Sequence, residues 1–502
     1  MAIVFWTLVA GMFVALYIFL TRNFKYWQKR GVPCASGALP GVGHMLSVVC
    51  FKISYADRFR QMYKENKNSS MVGFYNFSSP ALMVIEPELV KTVLQTNFAS
   101  FQENAIHIDP DLNPLVANNP FLTTGEKWMS GRKRLTYAFS SMRLKVLLES
   151  VKSVCVIFES FVDRKLDKME RAEFELQDLF SRYTAQVVAS AGFGVDGHCF
   201  DKEESSASFR NIAKKVLEPS TRNAILFTII TLFPGLNRIF RMSFIPKEVD
   251  RFFRKLVSDV MQKRRTEDIS RNDFLQLMVE LERMEGDKFD IGVLASHATS
   301  FIIDGYDTSS RALSFIGFQL ATHPEVQQKL RKEVVSVLSK YDGVLTYEAL
   351  KEMTYMDQVI NESQRIMPMG EVLFKLCTAK CELKGSDGLV CSVEPGMTIM
   401  VPVIALQEDP RYWDKPEIFD PERFSPDRKH NIERFTFLPF GEGPRICVGM
   451  RMALLQMKAC LAVLLKKYSL ELSPRTQIPL KMIPGTFLPT PEGGLWVFIR
   501  QL

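Results

Sequence analysis

The sequence predicts one large globular body, with several helical segments and a short strand region, behind a single membrane-crossing N-terminal helix. Three observations carry this. An apolar run opens the chain, no linker divides the remainder, and one proline-free stretch of helical spacing is long enough to cross a whole domain. By length alone 502 residues would suggest about three domains. The 47% of apolar residues are instead spread throughout, with no Gly/Ser tract, charge block or internal repeat, so one body fits better. The expected division is an anchor over residues 1–21, a basic and Pro/Gly-rich hinge over 22–45, and one catalytic domain over 46–502.

Ala2 to Leu20 contains no charged residue. At 1.5 Å per residue this run reaches about 29 Å, close to the hydrocarbon thickness of a bilayer. Arg22, Lys25, Lys29 and Arg30 come next, and the positive-inside bias places the rest of the chain in the cytoplasm. A cleaved signal peptide is the rival, but the basic leading region and the small-residue cleavage site are missing. Gly31 to Gly43, with two prolines and four glycines, stiffens and turns the chain. Phe74 to Glu86 reads as strand and turn, and Phe101 to Phe121 as a polar loop of the kind that often carries specificity.

Trp128 and Arg132 lie four apart in a helical segment and project from one face, where an indole N–H and a guanidinium suit a carboxylate. Lys127, Lys133 and Arg134 make a basic face beside them, although such charges are usually only solvated. Between Leu217 and Phe244 an apolar run is broken by Pro234 and Gly235. It is too short to span a bilayer, and core packing and a dip into a membrane surface remain equal readings.

Asp290 to about Ala321 keeps helical spacing without proline and would be about 48 Å long. It contains Asp304-Gly305-Tyr306-Asp307-Thr308-Ser309. A glycine there costs about 1 kcal/mol relative to alanine, so a packing or ligand reason is expected. Asp307 and Thr308 set an acid beside a hydroxyl, the parts of a short proton relay, against the plain alternative that Thr308 bonds the carbonyl four residues back. His323-Pro324-Glu325 opens a further helix, and Thr354 with Asp357 is expected to cap the one carrying Glu362 and Arg365.

Phe437 to Ala453 reads FLPFGEGPRICVGMRMA. Phe440, Gly443, Arg445, Cys447 and Gly449 give the spacing F-x-x-G-x-R-x-C-x-G. Two prolines and two positive-φ-tolerant glycines keep the loop out of a helix until Met450, so Cys447 is expected at a helix N-terminus. Amide N–H groups, the helix end and Arg445 favour a thiolate there. An isolated cysteine is more often a small buried hydrophobe. The surrounding motif reverses those odds.

This loop resembles the haem-binding loop of the cytochrome P-450 family. The likeness extends to W-x-x-x-R at Trp128 and Arg132, and to the oxygen-activation motif A-G-x-D/E-T-T/S at 304–309, with Asp304 in place of the small residue. It extends also to E-x-x-R at Glu362 and Arg365, joined by Arg423 into a structural ion triad. Anchor, hinge and DGYDTSS look most like insect microsomal members.

The resemblance implies a mainly α fold with a smaller β-rich region, holding haem b between the long helix and the cysteine loop. It implies Cys447 as axial iron ligand, Phe440 shielding the sulfur, Gly449 as part of the loop, and Arg445, Trp128 and Arg132 on the propionates. Lys375 stands where the family usually has a propionate-binding Arg. Asp307 and Thr308 would serve catalysis.

The implied activity is monooxygenation of an apolar small molecule, with electrons from NADPH through a flavoprotein reductase and cytochrome b5 admitted as a further partner. The implied location is the endoplasmic reticulum membrane, single-pass, with the body in the cytosol. A haem-thiolate isomerase or dehydratase would keep Cys447 without needing Asp307 and Thr308, and a non-catalytic haem protein binding hydrophobic ligands would leave the relay idle. Reductase-dependent NADPH consumption separates these readings.

The net charge of +7, with acids and bases interspersed, does not argue for nucleic-acid binding. Nine cysteines without regular spacing are not a disulfide framework, and Cys377 and Cys381 lack the histidines of a zinc site.

Overall fold

The computed structural model describes residues 1–106, 108–202, 204–217, 220–232, 239–267, 273–285 and 291–502. It divides into two compact units. The first comprises 1–106, 370–416 and 432–446, and the second 107–369, 417–431 and 447–502.

The first unit is built on a five-stranded sheet. Its order is Met71–Asn76, Ser79–Val84, Thr398–Val401, Leu373–Leu376 and Glu103–Asn104, with one parallel pair between the second and third. Phe59, Phe74, Leu82, Ile399 and Val401 form part of its core. Ala2–Thr21 is a helix of mean hydropathy 2.4 with no buried residue, as a membrane-crossing segment requires.

The hinge after it is bound to the sheet. Trp27 is fully buried and its indole donates to the Phe74 carbonyl at 3.0 Å. Gly73 makes room for it, since a Cβ there would stand 2.2 Å from the indole ring. His44 accepts from the Tyr75 amide through Nδ1 at 2.9 Å and donates through Nε2 to the Ala35 carbonyl, also at 2.9 Å.

The second unit is mostly helical. Its longest helix, Ile291–Thr322, has 32 residues, so about 48 Å at the α-helical rise. Asp290 and the Pro234-Gly235 break lie outside the described residues; Thr221–Leu232, within the apolar run, is helical. Leu176–Val187 packs along the long helix, with the Gln177 amide donating to Asp307 and to Ser310 Oγ. Glu175 caps that helix by accepting from the Asp178 amide at 2.6 Å. A three-stranded antiparallel sheet joins Arg171–Glu175, Trp496–Gln501 and Tyr468–Leu472.

Pro324 opens Pro324–Ser339 at the first helical position, as expected. The expected cap by Thr354 is corrected. Thr354 is already helical and makes no capping bond. Glu333, on the Pro324–Ser339 helix, accepts from the amides of Tyr355 and Met356 at 2.7 and 2.9 Å. A carboxylate satisfying two orphan donors outcompetes a hydroxyl satisfying one. Asp357 turns instead to Lys458, 2.8 Å away.

Candidate active site

In the second unit Cys447 stands three residues before the helix Met450–Lys467, whose N-cap is Gly449. Gly449 lies beside the sulfur, where an added Cβ would stand 4.0 Å from it, and the amides of Gly449 and Met450 both favour its charged form. Burial nevertheless holds the thiol above its ordinary pKa, and the Asp304 charge adds to this, while the two amides and Arg132 pull the other way. The helix end alone therefore does not deliver a thiolate. A metal cation at the sulfur would, since a coordinating thiol loses its proton outright. Cys447 is surface-accessible although protein surrounds its sulfur.

Trp128 and Arg132 lie on the helix Gly125–Ala138, the indole buried and the guanidinium half-buried. Burial lowers the Arg132 pKa and the Cys447 charge raises it, which places that guanidinium within electrostatic reach of the sulfur. Gly131, between them, lies against the long helix, where an added Cβ would stand 3.5 Å from the His297 ring.

On the long helix the Thr308 hydroxyl donates to the Asp304 carbonyl. Asp307 is buried and accepts from Arg311 Nε at 2.9 Å and Gln177 Nε2 at 3.1 Å, and Arg311 reaches on to Thr490 Oγ1 at 2.7 Å. Among the described residues, a Cβ at Gly305 would meet only Val188, at an ordinary 3.6 Å. Protein packing thus gives no reason for the glycine. Asp304 Oδ2 accepts from Asn119 Nδ2 at 3.0 Å, yet burial still pushes this carboxyl up to about 7.

Glu362 and Arg365 are fully buried and form a bidentate pair, with Nε to Oε2 at 2.8 Å and Nη2 to Oε1 at 2.9 Å. Arg423 Nε joins Oε1 at 3.2 Å and the Asp420 amide joins it at 3.0 Å. Both carboxylate oxygens are thereby satisfied, the condition under which a buried charge is tolerated.

In the first unit Lys375 is 5% exposed, and its ammonium donates to the neutral Asn104 amide oxygen at 2.8 Å. Burial, and then the Arg445 charge, lower its pKa to about 7. Arg445 Nε donates to the Gln102 carbonyl at 2.7 Å. A buried lysine bonded to a neutral amide oxygen, with a second cation acting on it, fits an anionic carboxylate such as a haem propionate. The loop that holds Arg445 is pinned at Gly443, which has φ +75° and whose Cβ would stand 2.0 Å from the Leu94 carbonyl oxygen. Phe440 is half-buried in the same loop.

The structure thus gathers Cys447, Gly449, Arg132 and Asp304 into one electrostatic group, and Lys375 with Arg445 into another. Sequence reasoning missed Asn119, Gln177 and Arg311. Arg311 is signalled by its place four residues after Asp307. Asn119 and Gln177 carry no local signal.

A mostly helical chain with a cysteine sulfur at a helix start, a buried Glu-Arg-Arg triad, and a buried Lys375 that feels the Arg445 charge has the parts of a haem-thiolate enzyme. The family model described as Cytochrome P450 matches residues 33–498. Cytochrome P450 9e2 of Blattella germanica is 31% identical over 99% of this chain and 98% of its own. Cytochrome P450 6a2 of Drosophila melanogaster is 31% identical over 98% of this chain and 100% of its own, and Cytochrome P450 6j1 of Blattella germanica 32% over 97% and 96%. The chain belongs to the cytochrome P450 family. It is a haem-thiolate monooxygenase, an oxidoreductase.

Proposed function

We propose that this chain inserts one atom of O2 into an apolar small molecule, with two electrons from NADPH arriving through a flavoprotein reductase. The observation that carries this reading is the Cys447 sulfur at a helix start, where two amides and Arg132 favour its charged form. Haem b bound there supplies the redox iron and the O–O cleavage that a thiolate ligand favours. On this reading Cys447 would ligate the iron through its sulfur, with Phe440 in the same loop shielding it and Gly449 presenting an amide to it. Arg132, Lys375 and Arg445 would neutralise the propionates, and the Trp128 indole N–H would donate a hydrogen bond to one of them. Lys375 acts as a point charge without the bidentate fork of arginine.

Thr308 and Asp307 manage the proton. The Thr308 hydroxyl proton is committed to the Asp304 carbonyl, so its oxygen acts as an acceptor that holds a water in place. Asp307 is fixed by Arg311 and Gln177 and must part from Arg311 to take up a proton. Positioned acid–base assistance is typically worth about 10²–10⁴-fold. Thr308→Ala should keep haem and still oxidise NADPH with reductase, while product per NADPH falls and hydrogen peroxide per NADPH rises. Unchanged coupling would reduce Thr308 to an ordinary helix residue.

The Ala2–Thr21 helix anchors the protein in the endoplasmic reticulum membrane on this reading, with the body in the cytosol. Its support is the wholly exposed apolar surface and the basic residues that come after it. Exposed Lys127 and Lys133 offer a basic face to the reductase and to cytochrome b5. Protease added to intact microsomes should digest the body; full protection would reverse the orientation.

A further inference from the structure

Asp304 is the residue at which this chain departs from its family's motif, and the reaction does not use it. Among the described residues Asn119 Nδ2 is the group bonded to its carboxyl, on Oδ2 at 3.0 Å. Asn119 is 4% exposed, and its own oxygen accepts from the Phe121 amide at 2.8 Å. The amide cannot flip without losing both bonds, so Nδ2 is fixed as a donor towards Asp304 and Oδ2 as an acceptor. That leaves Oδ1 without a protein partner among the described residues. No Lys, Arg or His among them forms a salt bridge with the carboxyl or contributes to its titration. The side chain is accessible, surrounded by protein, and within electrostatic reach of Cys447. An acid so placed in an apolar enzyme is a cost unless something supplies the opposite charge.

Resting on the reading of Cys447 as the haem ligand, we propose that Asp304 is a specificity-determining residue that binds the cationic nitrogen of basic amphiphilic substrates through Oδ1. The apolar remainder of such a molecule would lie in the site while the nitrogen pairs with the carboxylate. A nearby cation also favours the ionised acid, so substrate and Asp304 stabilise each other's charged forms. A neutral substrate of the same shape gains nothing from Oδ1 and must share the site with an unpaired acid.

The test uses the full-length holoprotein and two probes of matched shape, a phenylbutyl trimethylammonium ion and the hydrocarbon with a tert-butyl group in place of the ammonium. Neither can coordinate iron, so each is titrated by the spectral change that accompanies displacement of water from the haem. Charge pairing between the ammonium and the carboxylate in a site enclosed by protein predicts about tenfold or greater preference for the ammonium in the wild type. Asp304→Ala restores the small residue of the family motif and Asp304→Asn keeps the shape without the charge. Both should lose the preference, and the hydrocarbon should bind at least as well as before once the unpaired acid is gone.

Failure of the ammonium ion to perturb the wild-type spectrum would overturn the proposal. So would equal affinities for the two probes in the wild type, or a preference that survives Asp304→Asn. The ferrous-CO spectrum of the same samples keeps this separate from the underlying reading: a missing thiolate-type band in the wild type would count against Cys447, not against Asp304.

Discussion

Replacing Cys447 by serine should abolish the thiolate-type ferrous-CO absorption band and bring monooxygenation to background. The Gly449 and Met450 amides would remain, and they would favour a charged oxygen as they favour the charged sulfur. A serine hydroxyl, however, ionises far less readily than a thiol, and burial that already raises the thiol would raise it further. The iron would then lack the electron-donating ligand that favours O–O cleavage. Far-UV circular dichroism should be unchanged, because the residue is accessible and serine differs from cysteine by one atom. Persistence of the band in the serine variant would remove Cys447 as the ligand.

The second large effect is structural. Glu362→Gln should destabilise the second unit by about 3–5 kcal/mol, the scale for leaving a buried charge unpaired. Here two guanidiniums lose their shared carboxylate, Arg365 with no exposure and Arg423 with 7%. Glutamine keeps the volume, so cavity formation does not confuse the result. The urea midpoint of the helical signal reports the loss, and haem retention should fall with it. A loss under about 1 kcal/mol would mean that the triad resembles an exposed pair in value.

Much of the site is legible in the sequence because its chemistry is local. The break of helix before Cys447 comes from Pro439, Gly441, Gly443 and Pro444, and the Glu362–Arg365 pair from helix spacing. The parts that escape are supplied by distant chain. Glu333 caps a helix that begins 21 residues later, and nothing around Thr354 announces a competitor. Asn119 reaches Asp304 across 185 residues of sequence, so the partner of that acid could not be read from spacing. Lys375 reads as a cation, but the pull of its pKa to about 7 needs Asn104 and Arg445 in place.

The two-unit division is equally silent in composition. Ile446 closes the first unit and Cys447 resumes the second, so the boundary falls inside the signature itself. No glycine- or serine-rich linker marks that crossing, because a tight loop makes it.

Gly73 has a meaning beyond the sheet in which it lies. By lacking a side chain it lets the Trp27 ring sink flush against a strand, and the Phe74 carbonyl then holds the indole. A tether bolted this way differs from a rope. The short link between the apolar helix and the sheet, Arg22 to Lys25, is held as well, because Asn23 donates to the Ser78 carbonyl at 2.8 Å and Phe24 stacks on Tyr75. The first unit carries its keel with it, and a single methyl group at position 73 would be enough to unseat it.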